Sequence, residues 1–273
     1  MHSLVSATPS RHLKEYVRAY AQRTVTCREA EIVQPVPASL EQVLAFDFLT
    51  LPKLDFSNGS SFDSYRIALA GPHTFRRANL RFNGPVETFG VFFQPFGLWQ
   101  LFGIPIKECT DKEFAASDVL GKPIQELWDV LAEISSFDDR VEAAECFLSS
   151  MLTRASDRTF IMNTAHHEIR GRSVGKIGEV ARATGLSLRQ YERRFAADVG
   201  LNPKLYARIM RYQTALDVKL RTPDRSWFTI AHETGYHDQM HMIKEFQRLS
   251  SASPDRLLAE LGDTRPPALA SST

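Results

Sequence analysis

This chain predicts a two-domain α+β protein: an N-terminal small β-barrel or sandwich with flanking helices, then an all-α domain with two helix-turn-helix units. Three observations predict it. The length, 273 residues, is about twice that of a common single domain. Short β-prone runs split by turn residues fill the early part of the chain, and helical spacing fills the late part. A pattern in the late part recurs at an offset of 50 residues, rising to 51.

Composition sets the outer limits. Hydrophobic residues are 43% and charged residues 24%, the balance of a globular chain. A disordered chain, a collagen-like repeat and a disulfide-dense scaffold are excluded. Cys27, Cys109 and Cys146 form no CxxC pair. They fit a reducing compartment and argue against a disulfide framework or a thiolate zinc site. The first residues contain no apolar signal region. No run of about 18 apolar residues suggests a membrane span, and the expected address is the cytoplasm. The net charge of +1 hides an asymmetry: residues 1–159 carry a net −4 and residues 160–262 a net +5, with five histidines besides. A basic half suggests a polyanionic partner.

Gln42–Leu49, Tyr65–Leu69, Thr74–Phe82 and Val86–Phe93 are β-prone. Ser57-Asn58-Gly59, Gly71-Pro72 and Asn83-Gly84-Pro85 separate them as turn signals. Asn83-Gly84 between two such runs predicts a hairpin. After Pro95, Phe96–Phe102 predicts a short helix closed by Gly103. Gln125–Ile134 carries Leu127, Leu131 and Ile134 at helical spacing. Asp138 is placed to cap a further helix holding Val141, Ala144, Leu148 and Met151. Two antiparallel helices beside a barrel are expected.

The repeat is the most informative feature. Val180-Ala181-Arg182-Ala183-Thr184-Gly185-Leu186 matches Ile230-Ala231-His232-Glu233-Thr234-Gly235-Tyr236. Each copy is an apolar residue, Ala, two variable residues, Thr, Gly and an apolar residue. A polar helix with one Phe follows each (Phe195, Phe246), then a cap-Pro pair (Asn202-Pro203, Ser253-Pro254). A helix that ends at Gly can turn sharply, because Gly takes the left-handed backbone without steric penalty. Tyr191 and Phe195 point inward in the first unit, as Met242 and Phe246 do in the second. The opposite face of each second helix stays polar, as in a helix-turn-helix built to enter a major groove. Asn202 and Ser253 are N-caps with Pro at the first helical position. Pro203–Leu220, burying Leu205, Ile209, Tyr212 and Leu216, is expected to join the units rigidly.

From Ile177 to about Leu261 the chain resembles the DNA-binding domain of the AraC/XylS family of bacterial transcription regulators. The carrying residues are Ile177–Ala181, Gly185-Leu186-Ser187, Arg193-Arg194-Phe195, Gly200–Pro203, Arg211, Ile230-Ala231, Gly235-Tyr236, Lys244-Glu245-Phe246 and Ser253-Pro254. Residues 9–153 more loosely resemble a sensory domain of one branch of the family. That likeness runs through Val36–Ser39, Phe92–Pro95 and Leu101–Pro105. Two departures stand out: Ser251 replaces the family's Gly, and Leu257-Leu258 replace an aromatic followed by Arg. Both bear on the end of the second unit.

The resemblance implies a sensory or dimerisation domain over residues 1–156, a DNA-binding domain over 157–262 and a disordered tail over 263–273. It implies DNA contacts from Arg189, Glu192 and Arg193 in the first recognition helix, and from Gln239, Met240, Ile243 and Lys244 in the second. Helical geometry agrees, since these positions lie opposite the inward stripe. Arg can pair with guanine, Glu can accept from cytosine, Gln can read adenine, and Ile or Met can touch a thymine methyl. Arg194 and Arg211 serve either phosphates or internal ion pairs. Double-stranded DNA is the expected partner, with RNA polymerase, a small-molecule effector and a second copy of the chain as further candidates.

Other chemistry finds little support. His237 and His241 have a zinc-compatible i, i+4 spacing but no evident third ligand, and the adjacent His166-His167 are given no role. HExxH, GxSxG, Walker and GxGxxG motifs are absent, so no enzyme, metal or cofactor is expected. The alternative is a ligand-binding or enzymatic barrel with accessory DNA binding. A third reading is a ligand-free architectural protein.

Overall fold

Among the described residues, ten strands form two antiparallel sheets. The computed structural model describes residues 2–26, 31–95, 97–152, 179, 181–182 and 185–262. The strands are β1 (His2–Ala7), β2 (Val17–Val25), β3 (Glu31–Val36), β4 (Gln42–Asp47), β5 (Lys53–Phe56), β6 (Ser61–Asp63), β7 (Ile67–Ala70), β8 (Ala78–Asn83), β9 (Val86–Phe93) and β10 (Glu113–Ala115). One sheet has the order β1-β2-β9-β4-β7-β10, the other β3-β8-β5-β6. The architecture is a two-sheet sandwich, not a closed barrel.

Successive side chains of a strand point to opposite faces, and the large sheet uses its two faces differently. Tyr20, Leu44, Phe46, Leu69, Phe89, Val91 and Phe93 build one face. They pack against Leu98 and Leu101 of α1 (Gly97–Phe102), Ile124, Leu127 and Leu131 of α4 (Lys122–Glu133), and Leu148 of α5 (Phe137–Leu152). Between them run α2 (Ile106–Cys109) and α3 (Ala116–Leu120). The other face is lined with small residues. Registered pairing places Ser6, Ala21, Gly90, Ala45, Ala68 and Ala115 in one row across all six strands. Polar Arg23, Thr88 and Asp47 form the next row on one side. Ala19, Phe92, Val43, Ala70 and Glu113 form the row on the other.

Several expectations are corrected. Asn83-Gly84 does not close a hairpin: β8 pairs with β3 and β5, whereas β9 pairs with β2 and β4. The turn carries the chain between sheets, and Phe82 and Val86 pack with Val25 at that seam. The Tyr65 run becomes strand only at Ile67. The Thr74 run becomes strand only at Ala78, because Asp111 draws the Thr74 N–H and hydroxyl (2.7 Å each) out of any ladder. Asp138 lies inside the first turn of α5, and Ser136 Oγ accepts from the Asp139 N–H (3.4 Å). The boundary at 156/157, His166-His167 and the tail from 263 lie outside the described residues.

The C-terminal helices are α6 (Leu188–Val199), α7 (Pro203–Arg221), α8 (Trp227–Glu233), α9 (Gln239–Ser250) and α10 (Pro254–Leu261). Helix α7 runs through the centre. Tyr206, Ile209, Tyr212, Ala215 and Leu216 are buried on it, with Leu205 only partly covered. Ala38 and Leu40 of the N-terminal domain belong to this same core.

Candidate nucleic-acid interface

The repeat seen in the sequence is also a repeat of hydrogen bonds. The Gly185 N–H donates to the Arg182 carbonyl (3.0 Å) and Leu186 to Ala181 (3.2 Å). Gly235 donates to His232 (3.3 Å) and Tyr236 to Ala231 (2.9 Å), fifty residues later. Both glycines have positive φ, 70° and 78°. The following helices are capped alike, one residue out of step. Ser187 accepts from the Gln190 N–H in a capping box, and Asp238 accepts from the His241 N–H. The first helix of the first unit falls largely outside the described residues.

Each second helix then shows two faces. Tyr191, Phe195 and Val199 of α6 are buried, as are Met242, Phe246 and Leu249 of α9. Phe195 meets Tyr206 edge-on at 5.2 Å, and Phe246 meets Tyr212 at 4.7 Å and Trp227 at 5.5 Å. Both units are thus anchored to α7 or its neighbours through aromatic contacts. On the outward side of α6, Arg189 and Arg193 are exposed and Glu192 is partly so. On α9, Met240 is 59% exposed, Lys244 is exposed, and Gln239 and Ile243 are half-buried. Of the seven positions, Arg189, Arg193, Met240 and Lys244 are the exposed ones, two on each helix, while Glu192, Gln239 and Ile243 are half-buried beside them. Phe228 on α8 is 69% exposed, a large apolar side chain that the sequence pattern does not flag.

Of the two arginines left open by the sequence, Arg211 makes an internal contact. Arg211 stacks over the Tyr236 ring (4.5 Å) and donates to the Gly235 carbonyl (3.2 Å), tying α7 to the turn of the second unit. Arg194 is exposed on α6. Arg208, unremarked in the sequence, grips buried Glu245 with two bonds of 2.8 and 3.1 Å. Burial works to raise the Glu245 pKa, but Arg208 and Arg248 hold it below the usual range. His237 bonds to Asp238 (3.0 Å), which together with the cap bond from His241 lowers the Asp238 pKa. Among the described residues, no group of three His, Cys, Asp or Glu is placed to hold a metal.

Among the described residues, the N-terminal domain grips this assembly at five places. The Gln213 side chain on α7 accepts from the Leu40 N–H (3.0 Å) and donates to Glu41 (3.0 Å). Arg18 pairs with Glu41 and with Asp217 on α7 (3.5 Å). The Ala38 N–H donates to the Leu249 carbonyl (2.9 Å), and Arg76 pairs with Glu260 of α10 (2.5 Å). Gly200, which ends α6, lies against α2: a Cβ there would meet Thr110 Oγ1 at 2.6 Å and the Lys107 nitrogen at 2.8 Å.

A cavity of about 260 Å³ lies between the two sheets. Its floor is Ala21, Gly90, Ala45 and Ala68 of the row of small residues, its roof Leu54, Leu80 and Phe82, and its far wall Tyr212, Leu216 and Leu261 from the helical domain. Sequence reading misses it, although Ala-x-Ala at 68–70 and Val-x-Ala-x-Asp at 43–47 are its traces.

A family described as "Helix-turn-helix domain" matches residues 180–260. One described as "Domain of unknown function (DUF6597)" matches residues 6–115. No curated protein matches. Among solved structures the chain is similar to ToxT from Vibrio cholerae, at 12% identity and a TM-score of 0.51, covering 89% of this chain and 98% of that one. ToxT bound to an unsaturated fatty acid matches at 10% identity and TM-score 0.50, over 88% and 95% of the two chains. ToxT bound to (E)-4-(8-methylnaphthalen-1-yl)but-3-enoic acid also matches at 10% and 0.50, over 96% and 98%. At such identities the likeness is one of fold: a sheet-rich domain followed by a helical one.

Proposed function

We infer that this chain is a DNA-binding transcription regulator of the AraC/XylS family. One observation carries the reading. Two helix-turn-helix units with matching turn hydrogen bonds present outward, largely uncovered helix faces within one matched domain. Regulators of this kind are typically not enzymes, and no reaction is proposed.

We place the DNA contacts on Arg189, Glu192 and Arg193 in one groove segment and on Gln239, Met240, Ile243 and Lys244 in the next. The division of the chain at 156/157 into a sensory or dimerisation domain and a DNA-binding domain is part of the same proposal. RNA polymerase and a second copy of the chain are the further partners we propose. The ligands held by ToxT structures support a small-molecule effector here too. We assign it to the cavity between the sheets, which the two domains share.

Duplexes carrying a site selected from random DNA, and scrambled versions, test the contacts at one salt concentration. Arg189→Ala and Arg193→Ala should each weaken the selected site by about 1–3 kcal/mol. Scrambled DNA should lose far less, because that affinity comes from phosphate neutralisation. Equal losses on both duplexes would reduce these arginines to backbone binders. No loss on either would take α6 out of the groove.

A further inference from the structure

The charge pattern of the intersheet cavity names a ligand class, an inference that rests on the effector reading above. We propose that the cavity takes an organic cation: an amine with a compact apolar body, its ammonium held by the carboxylate of Asp47 in a wall that also carries Glu113.

Size comes first. A dry engineered cavity of about 150 Å³ accepts benzene. At about 260 Å³, this one suits a ring with a short side chain. Floor and roof are apolar, so the body of the ligand needs no polar partner.

Charge decides the rest. Four charged side chains line the space: Arg23, Glu41, Asp47 and Glu113. Glu41 is already paired with Arg18 and bonded by Gln213. Arg23 donates to Gln34 (2.7 Å) and lies 5.2 Å from the centre of the Phe82 ring. Asp47, 2% exposed, accepts from the Thr88 hydroxyl. Glu113 accepts from the Ser64 hydroxyl (2.7 Å). Neither makes an ion pair among the described residues. Burial without a cation favours the neutral acid. It pushes Asp47 up to about 7, with Thr88 and Arg23 opposing and Glu113 adding. Burial likewise raises Glu113, against Ser64 and Arg77. His73 contributes no competing positive charge: burial pushes it down to about 4, opposed by Asp111 and Glu41 and aided by Arg77. Its buried Nδ1 has no partner in the wall. An ammonium supplies the missing counter-charge and, below about pH 7, displaces a proton from Asp47. A carboxylate would join three acids against a single arginine, Arg23.

Three probes of one shape test this on the full chain by titration calorimetry: 2-phenylethylamine, 2-phenylethanol and 3-phenylpropionate. The amine should bind about tenfold tighter than the alcohol or more. Its affinity should rise from pH 6 to 8, and proton release should be seen only at the acid end. Asp47→Asn should abolish both the preference and the proton release while alcohol binding persists, which also reports an intact cavity. Ala45→Leu, filling the floor, should remove all three probes. Tightest binding by the propionate, or equal binding by alcohol and amine, overturns the cation while leaving an effector site in place. Amine binding that survives Ala45→Leu overturns it as well. Failure of every probe on the unaltered chain removes the effector site along with it.

Discussion

Glu245 stands where the first unit has Arg194, and it does a different job. Buried beside α7, it accepts two bonds from Arg208. Removing the arginine leaves a buried carboxylate short of donors. Arg208→Ala should therefore cost about 1–3 kcal/mol in urea unfolding. Arg208→Lys should recover only part of it, because the two-pronged geometry is lost. Asp47 gives a second residue-scale outcome. Its folded-state pKa of about 7 lies above the unfolded value of about 3.9, so the folded chain keeps a proton that the unfolded chain releases. That contribution to stability is lost as pH rises through this window. Asn does not titrate. The melting temperature of Asp47→Asn relative to wild type should climb between about pH 4 and 7 and level off above. A difference that stays flat with pH would mean that Asp47 is ionised in the folded protein.

Among the elements, the ends of the two recognition helices form a natural experiment. Gly200 ends α6 at φ 77°, and Ser251, its counterpart in the repeat, ends α9 at φ 56°. The serine takes the left-handed backbone that the family gives to glycine, so the end of the second unit keeps its shape. Leu257 is buried and Leu258 packs against the same core, giving that end an apolar closure. Ser251→Gly should stabilise by about 1 kcal/mol, the order of the left-handed penalty. Gly200→Ala should destabilise, since its Cβ collides with Thr110 and Lys107; thermal melts of both variants check the pair. The outward faces of α6 and α9 were legible because helical period, caps and repeat all agree on them. β4 and β9 were legible as apolar runs. β2 was not, because Gln22 and Arg23 interrupt its pattern yet are buried. β6 and β10, three residues each, exist only through their partners. The turn at Asn83-Gly84 shows the same limit: local chemistry fixes a reversal, but neighbours decide which strands pair.

The whole molecule couples its domains through α7. That helix carries Gln213 and Asp217 toward the N-terminal domain, Tyr212 and Leu216 into the cavity wall, and the aromatic anchors of both units. Gln213→Ala should speed hydrogen exchange at Leu40 while DNA binding by the helical domain survives. Unchanged exchange would show that the Ala38–Glu41 segment is held without Gln213. With α7 rigid between the units, one protomer should protect two short DNA segments on one face, centred roughly 34 Å apart. A footprint over one segment would show that α9 does not dock. The cavity escaped sequence reading because its walls come from most of the strands and two helices far apart in the chain.

The strands of the large sheet hold stability and ligand fit on opposite sides. The aromatic face packs on the helices, while the face of alanines and one glycine bounds the cavity, and no side chain serves both. A change from Ala45 or Ala68 to a slightly larger residue trims the space by a methyl group or two without disturbing Phe46 or Leu69 next to it. New effector preferences can thus arise by single substitutions on a scaffold whose folding they barely touch. The core that anchors the recognition helices meets the cavity through Tyr212, Leu216 and Leu261, on the wall opposite those alanines, so the operator is kept meanwhile.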